Sequence, residues 1–176
     1  WHDVLLDLGI SALTSGITNT LTVSSGRGEI FGAWKGLGIE QQGHNLGHMN
    51  MKDRDSLEPN ATHHEAALVR KYVFELIART LGEVENLIVV YTSDAAEKHH
   101  ANCVEWPHVI LGNHPNLKLD GRFLYYPENG KDGHRTLNAF HNTLLRAGGI
   151  EMESFGQVVK NIPMKEQIGI LPQLLS

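Results

Sequence analysis

The chain has 176 residues, 41% of them apolar and 20% charged, with a formal net charge of -5 and a single cysteine, Cys103. This length can bury most of its apolar surface as one domain without disulfides, and the composition excludes a disordered or fibrous architecture. The 15 Lys and Arg residues are scattered and outnumbered by 20 Asp and Glu, which removes nucleic acid from the expected partners, and a lone cysteine forms no intrachain disulfide.

No apolar run approaches the roughly 20 residues that cross a bilayer, so no direct membrane span is expected. The chain opens on Trp1 and carries no basic, apolar, small-residue leader, which points to a processed or truncated N-terminus with any targeting segment upstream.

In chain order, Val4, Leu5, Leu8, Ala12 and Leu13 have the spacing of an amphipathic helix ending near Gly16. Thr18 to Ser24 alternates and is β-branched, which predicts a strand. Six glycines from Gly26 to Gly43 mark a long loop-rich region of the kind that carries function. Thr62 and Glu65 form a capping-box signature, and Ala66, Val69, Val73, Leu76, Ile77 and Leu81 continue it as one apolar stripe to Gly82. Leu87 to Tyr91 and His108 to Leu111 are nearly continuous apolar runs, as expected of strands covered on both faces, and Phe123 to Tyr126 predicts a short third strand. Thr136 caps a helix running through Phe140, Leu144 and Leu145 to Gly148, and the tail from Phe155 is expected to pack as loops. The alternation predicts a single α/β domain over 1–176, a mixed, largely parallel sheet with helices on both faces.

Eleven histidines are many for this length, and their grouping matters because a metal site needs several imidazoles or carboxylates at one point. His44 and His48 are four apart, so either a helical turn or a tight glycine-flanked loop could let both chelate one ion. Asp94 follows the Leu87–Tyr91 run, and the C-terminal ends of strands in open α/β sheets are where ligands sit. His99 and His100 follow on a segment without apolar periodicity, which can fold back toward Asp94 or stay a solvated loop. His63 and His64 lie in the first turn of a helix and are expected at the surface. His108, His114, His134 and His141 are isolated and expected as satisfied core or surface residues, and Cys103 as a small buried residue.

Several segments together resemble a bacterial family, the domain-of-unknown-function 1552 family. They are Asp7-Leu8 through Ala12-Leu13, Ile17 to Val23, Gly43-His44 with Gly47-His48, and Val89 to Asp94 with His99-His100. Pro107 to Gly112, Gly121 to Tyr125, and His141 to Gly149 leading to Ser154-Phe155-Gly156 extend the likeness, in order, over most of the chain. That family is similar to the alkaline phosphatase and sulfatase superfamily, whose metal site at the strand ends is built from aspartates and histidines. The resemblance implies an alkaline phosphatase-like fold, an exported protein of the periplasm or cell surface, and a divalent metal ion held by His44, His48, Asp94 and one of His99 or His100. Asp94 is followed by Ala95 where the superfamily carries an Asp-His dipeptide, a departure that bears on any two-metal arrangement. The superfamily's nucleophile and first metal aspartate come from a segment earlier than Trp1, so the chain is expected to be the C-terminal part of a larger protein.

Two functions follow as expectations. One is a non-catalytic, degenerate domain serving as a structural or assembly subunit beside a companion polypeptide or the upstream half of its own precursor. The other is metal-assisted hydrolysis of phosphate or sulfate esters, the cation polarising the ester oxygen and acidifying bound water.

Overall fold

Leu6 and Ile10, one helical turn apart, are the buried hydrophobic side chains of the first helix in the computed structural model, which describes residues 2–24, 34–41, 46, 61–92 and 106–176, the side chains of 2 and 61–63 apart. The chain divides into two units, Trp1–Glu85 and Asn86–Ser176.

In the first unit, α1 spans His2–Thr14. It stops where the sequence places the stop. The Ile17 amide donates to the Ala12 carbonyl at 3.0 Å and the Gly16 amide to Leu13 at 3.1 Å, with Gly16 at φ +72°, a Schellman end that glycine adopts without a Cβ penalty. The long apolar stripe forms α2, Ala61–Glu83, which begins one residue before Thr62, so Thr62 falls inside the first turn and not at the cap. The helices are tied side to side: Tyr72 donates its hydroxyl to Asp3 Oδ2 at 2.7 Å, and Arg79 Nη2 donates to Asp7 Oδ1 at 2.8 Å. Asp3 and Asp7 are one turn apart and Tyr72 and Arg79 two turns apart, so each pair shares a helix face. The ring of Trp34 meets Tyr72 edge-on, with centroids 6.1 Å apart.

The strand expected over Thr18 to Ser24 is not formed; these residues are irregular and mostly exposed. Thr18 Oγ1 accepts from the Thr20 amide at 3.2 Å and donates to the Thr20 carbonyl at 2.9 Å, a local turn that satisfies the groups a ladder would need.

In the second unit, β1 (Ile88–Thr92) pairs antiparallel with β2 (His108–Gly112), setting Ile88 opposite Gly112, Val90 opposite Ile110 and Thr92 opposite His108. This corrects the expected large, mostly parallel sheet: the described residues form one two-stranded antiparallel sheet, and the protein is α/β only in the general sense of combining helices with strands. An apolar run carries no information on strand direction, and these strands are partly buried rather than enclosed on both faces. Val90 and Ile110 face the core, whereas Val109 is 41% exposed.

The third strand expected at Phe123 to Tyr126 has no ladder partner among the described residues. Its period of two survives: Leu124 and Tyr126 pack on the core, while Phe123 and Tyr125 are 88% and 62% exposed.

Helix α3, Leu137–Ala147, lies between Thr136 and Gly148 as the sequence predicts. Thr136 makes no side-chain cap; its hydroxyl donates instead to the Glu166 carbonyl at 3.2 Å. Ala139, Phe140, Asn142, Thr143 and Ala147 are buried, and Phe140 with Ala139, Leu171 and Leu174 makes the core cluster. Burying a side chain such as Phe140 contributes about 1.5–3 kcal/mol.

The tail, expected as loops, is mostly irregular and adds the short helix α4, Met164–Gln167, and a 3-10 turn at Pro172–Leu174. Side chains bonding to backbone carbonyls fasten it. Arg135 donates to the carbonyls of Lys165, Ile168 and Ile170 at 2.7, 3.3 and 2.9 Å, and Asn142 Nδ2 to those of Glu153 and Gly169 at 3.2 and 3.1 Å. Gln167, fully buried, accepts from the Val159 amide at 2.6 Å and donates to the Val159 and Ile162 carbonyls. No helix among the described residues is long and apolar enough to cross a membrane.

Candidate functional site

All five predicted ligands, His44, His48, Asp94, His99 and His100, lie outside the described residues, as does Cys103. What is described is the end of the strand pair from which the Asp94 segment departs: Thr92 closes β1 two residues before Asp94, and its cross-strand partner His108 opens β2.

The backbone here is fastened by side chains. Trp106 Nε1 donates to Thr92 Oγ1 at 3.1 Å, and that hydroxyl donates to the Pro107 carbonyl at 3.2 Å. His108 Nδ1 sits 2.9 Å from the Trp106 carbonyl. A carbonyl only accepts, so Nδ1 carries the proton, and in the neutral ring the lone pair is on Nε2.

His108 packs against Phe140 of α3 with centroids 4.6 Å apart, and the row of rings continues from Phe140 to His141 at 5.5 Å and from His141 to Phe155 at 4.8 Å. Burial beside these rings pushes the His108 pKa below its usual value; the bond to the Trp106 carbonyl opposes this, and the nearby His141 adds to it. The result is a half-buried imidazole kept neutral near pH 7, with its tautomer set by a backbone carbonyl. Such a ring can take up a proton or donate a lone pair to a cation.

Of the remaining histidines, the His63 side chain lies outside the described residues, and His64, His114 and His134 are satisfied or surface groups as expected. His64 is exposed, His134 Nδ1 lies 2.7 Å from the Pro127 carbonyl, and His114 Nδ1 accepts from the Asn116 amide at 3.3 Å. His108 is likewise satisfied, but its place beside Thr92 and its electrostatic contact with His141 were not legible from spacing, because they arise where α3 packs on β2. The one sequence signal was its position at the head of an apolar run. Among the described residues no three His, Cys, Asp or Glu side chains are grouped to hold a metal ion. Comparison with protein-family models, curated proteins and solved structures finds no match to this chain.

Proposed function

We propose that the chain is a structural or assembly subunit, a non-catalytic relative of the alkaline phosphatase-like domains and a member of the domain-of-unknown-function 1552 family, exported and completed by a companion polypeptide or an upstream half of its precursor. The observation that carries this reading is the exposed apolar surface of the second unit, where Phe123 and Tyr125 stand 88% and 62% exposed on a segment whose alternate residues enter the core. Large rings held in water on an ordered backbone mark a surface for another protein.

The test is solution mass by light scattering of the native protein and of the Phe123→Ser/Tyr125→Ser double variant. An assembly that the variant loses, with an unchanged melting profile, supports the reading. A native protein that is monomeric and acquires no partner polypeptide when isolated from its source overturns it.

One observation favours the hydrolase as the second reading: the neutral His108 ring at the strand end, beside the segment that bears Asp94, His99 and His100. In that reading His44, His48, Asp94 and one of His99 or His100 hold a divalent metal ion, a donor set suited to a borderline transition cation. Elemental analysis separates the two readings. A stoichiometric metal that is lost in the His44→Ala/His48→Ala variant, together with phosphate- or sulfate-ester hydrolysis, establishes the second; a folded protein with unchanged metal content in that variant removes it.

A further inference from the structure

Two β-turns follow each other in the second unit, over 128–131 and 131–134. The Lys131 amide donates to the Glu128 carbonyl at 3.1 Å and the His134 amide to the Lys131 carbonyl at 3.2 Å, with Gly130 at φ +85° and Gly133 at φ +87° supplying the left-handed position of each turn. His134 Nδ1, on the Pro127 carbonyl at 2.7 Å, ties the ends of this segment together. In the first turn, Asn129 is the one asparagine of the chain that glycine follows. Asn129 and Gly130 are both exposed, and among the described residues neither the Asn129 side-chain amide nor the Gly130 N–H forms a hydrogen bond. A Cβ added to Gly130 would meet nothing within 4 Å, so the space around this peptide is open.

We propose that Asn129 is a site of spontaneous covalent modification, converted through a succinimide shared with Gly130 to aspartate and isoaspartate. The Gly130 nitrogen, its proton taken by solvent base, attacks Asn129 Cγ, and glycine has no side chain to crowd that attack. The new N–Cγ bond forms as the Cγ–Nδ2 bond breaks, and Nδ2 leaves as ammonia, taking up the proton. Water then opens the ring. Breaking the N–Cγ bond gives aspartate; breaking the bond from the Gly130 nitrogen to the Asn129 main-chain carbonyl carbon gives isoaspartate, in which the main chain runs through Cγ. Either product sets a new carboxylate between Glu128 and Asp132, and isoaspartate adds a methylene to the turn that the Lys131–Glu128 bond closes. Competing positions are held back. Asn113, Asn116 and Asn142 have their side chains bonded to the Leu87 amide, the Ala147 carbonyl and the carbonyls of Glu153 and Gly169. Asp120, which Gly121 follows, is paired with Arg122 at 2.5 Å, and an ionised carboxylate resists nucleophilic attack where a neutral amide does not. The step needs water and no metal or partner, so it is independent of both readings above.

The experiment is incubation of the purified full chain at mildly alkaline pH, with its tryptic peptides followed over time by mass spectrometry. The Phe123–Lys131 peptide, released by cleavage after Arg122 and Lys131, carries Asn129. It is expected to lose its amide form at least about tenfold faster than any other asparagine peptide, a barrier lower by about 1.4 kcal/mol. Two products with the mass of the acid appear, and electron-transfer fragmentation and methylation by an isoaspartyl methyltransferase identify one of them as isoaspartate. Asn129→Gln, whose longer side chain disfavours the ring, abolishes the conversion and leaves the melting profile unaltered. An amide form that persists as long as those of the other asparagines, or conversion to aspartate with no isoaspartate, overturns the proposal.

Discussion

The hydroxyl of Thr143, on the buried face of α3, accepts a hydrogen bond from the Leu171 amide at 2.7 Å while donating to the Ala139 carbonyl one turn back at 2.7 Å. Both residues are buried, so this one oxygen satisfies the backbone of the tail at the point where Leu171 enters the core. Thr143→Val preserves the shape and removes the acceptor, leaving the Leu171 amide buried and unpaired at a cost of about 1–3 kcal/mol. Urea unfolding measures that loss, and hydrogen exchange locates it: the Leu171 amide loses protection in Thr143→Val and keeps it in Thr143→Ser.

The bond from Tyr72 to Asp3 joins α2 to α1 and moves both groups' pKa values apart. Desolvation, then the hydrogen bond and the charge of Asp3, push the Tyr72 phenol up to about 12, and the same bond is the largest cause holding Asp3 below its usual value. A raised phenol pKa contributes stability that is whole below pH 10 and is lost as pH rises toward about 12; the depressed carboxyl contributes stability lost as pH falls below 3.8. In Tyr72→Phe, carboxyl-detected NMR titration finds the Asp3 pKa moved up toward 3.8, and the alkaline loss attributable to this phenol disappears. An unmoved Asp3 would contradict the bond as its main cause.

The helices were legible in the sequence as helices, but the face of α1 was not: Val4, Leu5 and Leu8, which have the expected spacing, are exposed, and Leu6 and Ile10 are buried instead, whereas Phe140 of the stripe expected in α3 does enter the core. Strand direction was not legible, since Val90 meets Ile110 only through a nonlocal pairing that two apolar runs leave open. The Thr18 segment misled because β-branched alternation reads as a strand, whereas the Thr18 hydroxyl satisfies its own neighbourhood. Arg135 and Gln167 fasten the tail only once 153–170 wraps over α3, a nonlocal arrangement that no local sequence pattern announces. Of the candidate metal site, all five expected ligands lie outside the described residues, and the open parallel sheet whose strand ends suggested Asp94 is replaced by an antiparallel pair.

Gly112 ends β2 opposite Ile88 with φ at +150°, and a Cβ built there would sit 2.1 Å from the Leu87 carbonyl oxygen. That oxygen also accepts from the Asn113 amide at 3.1 Å, and Asn113 Oδ1 accepts in return from the Leu87 amide at 2.8 Å, so the backbone at this corner is held from both sides. Gly112→Ala therefore forces β1 and β2 apart where they first meet. The backbone strain alone costs about 1–3 kcal/mol, and the contact with Leu87 adds to it. Thermal unfolding reads the loss, and faster exchange of the Leu87 and Asn113 amides places it at this corner rather than in the core.

His108 supplies the pH dependence closest to the candidate site. Its pKa lies below 6.5 because burial against Phe140 disfavours the imidazolium, with His141 adding a smaller push and the Trp106 carbonyl pulling the other way. The folded ring thus binds its proton less tightly than the unfolded ring, so this group's contribution to stability is whole above pH 6.5 and is lost as pH falls through the folded value. NMR titration of the ring protons is expected to find His108 as a depressed histidine. In His141→Asn its pKa moves only part of the way back, because desolvation, the larger cause, remains. Full recovery to 6.5 in that variant would make the charge of His141 the governing cause and would contradict the packing of His108 against α3 as the reason it stays neutral.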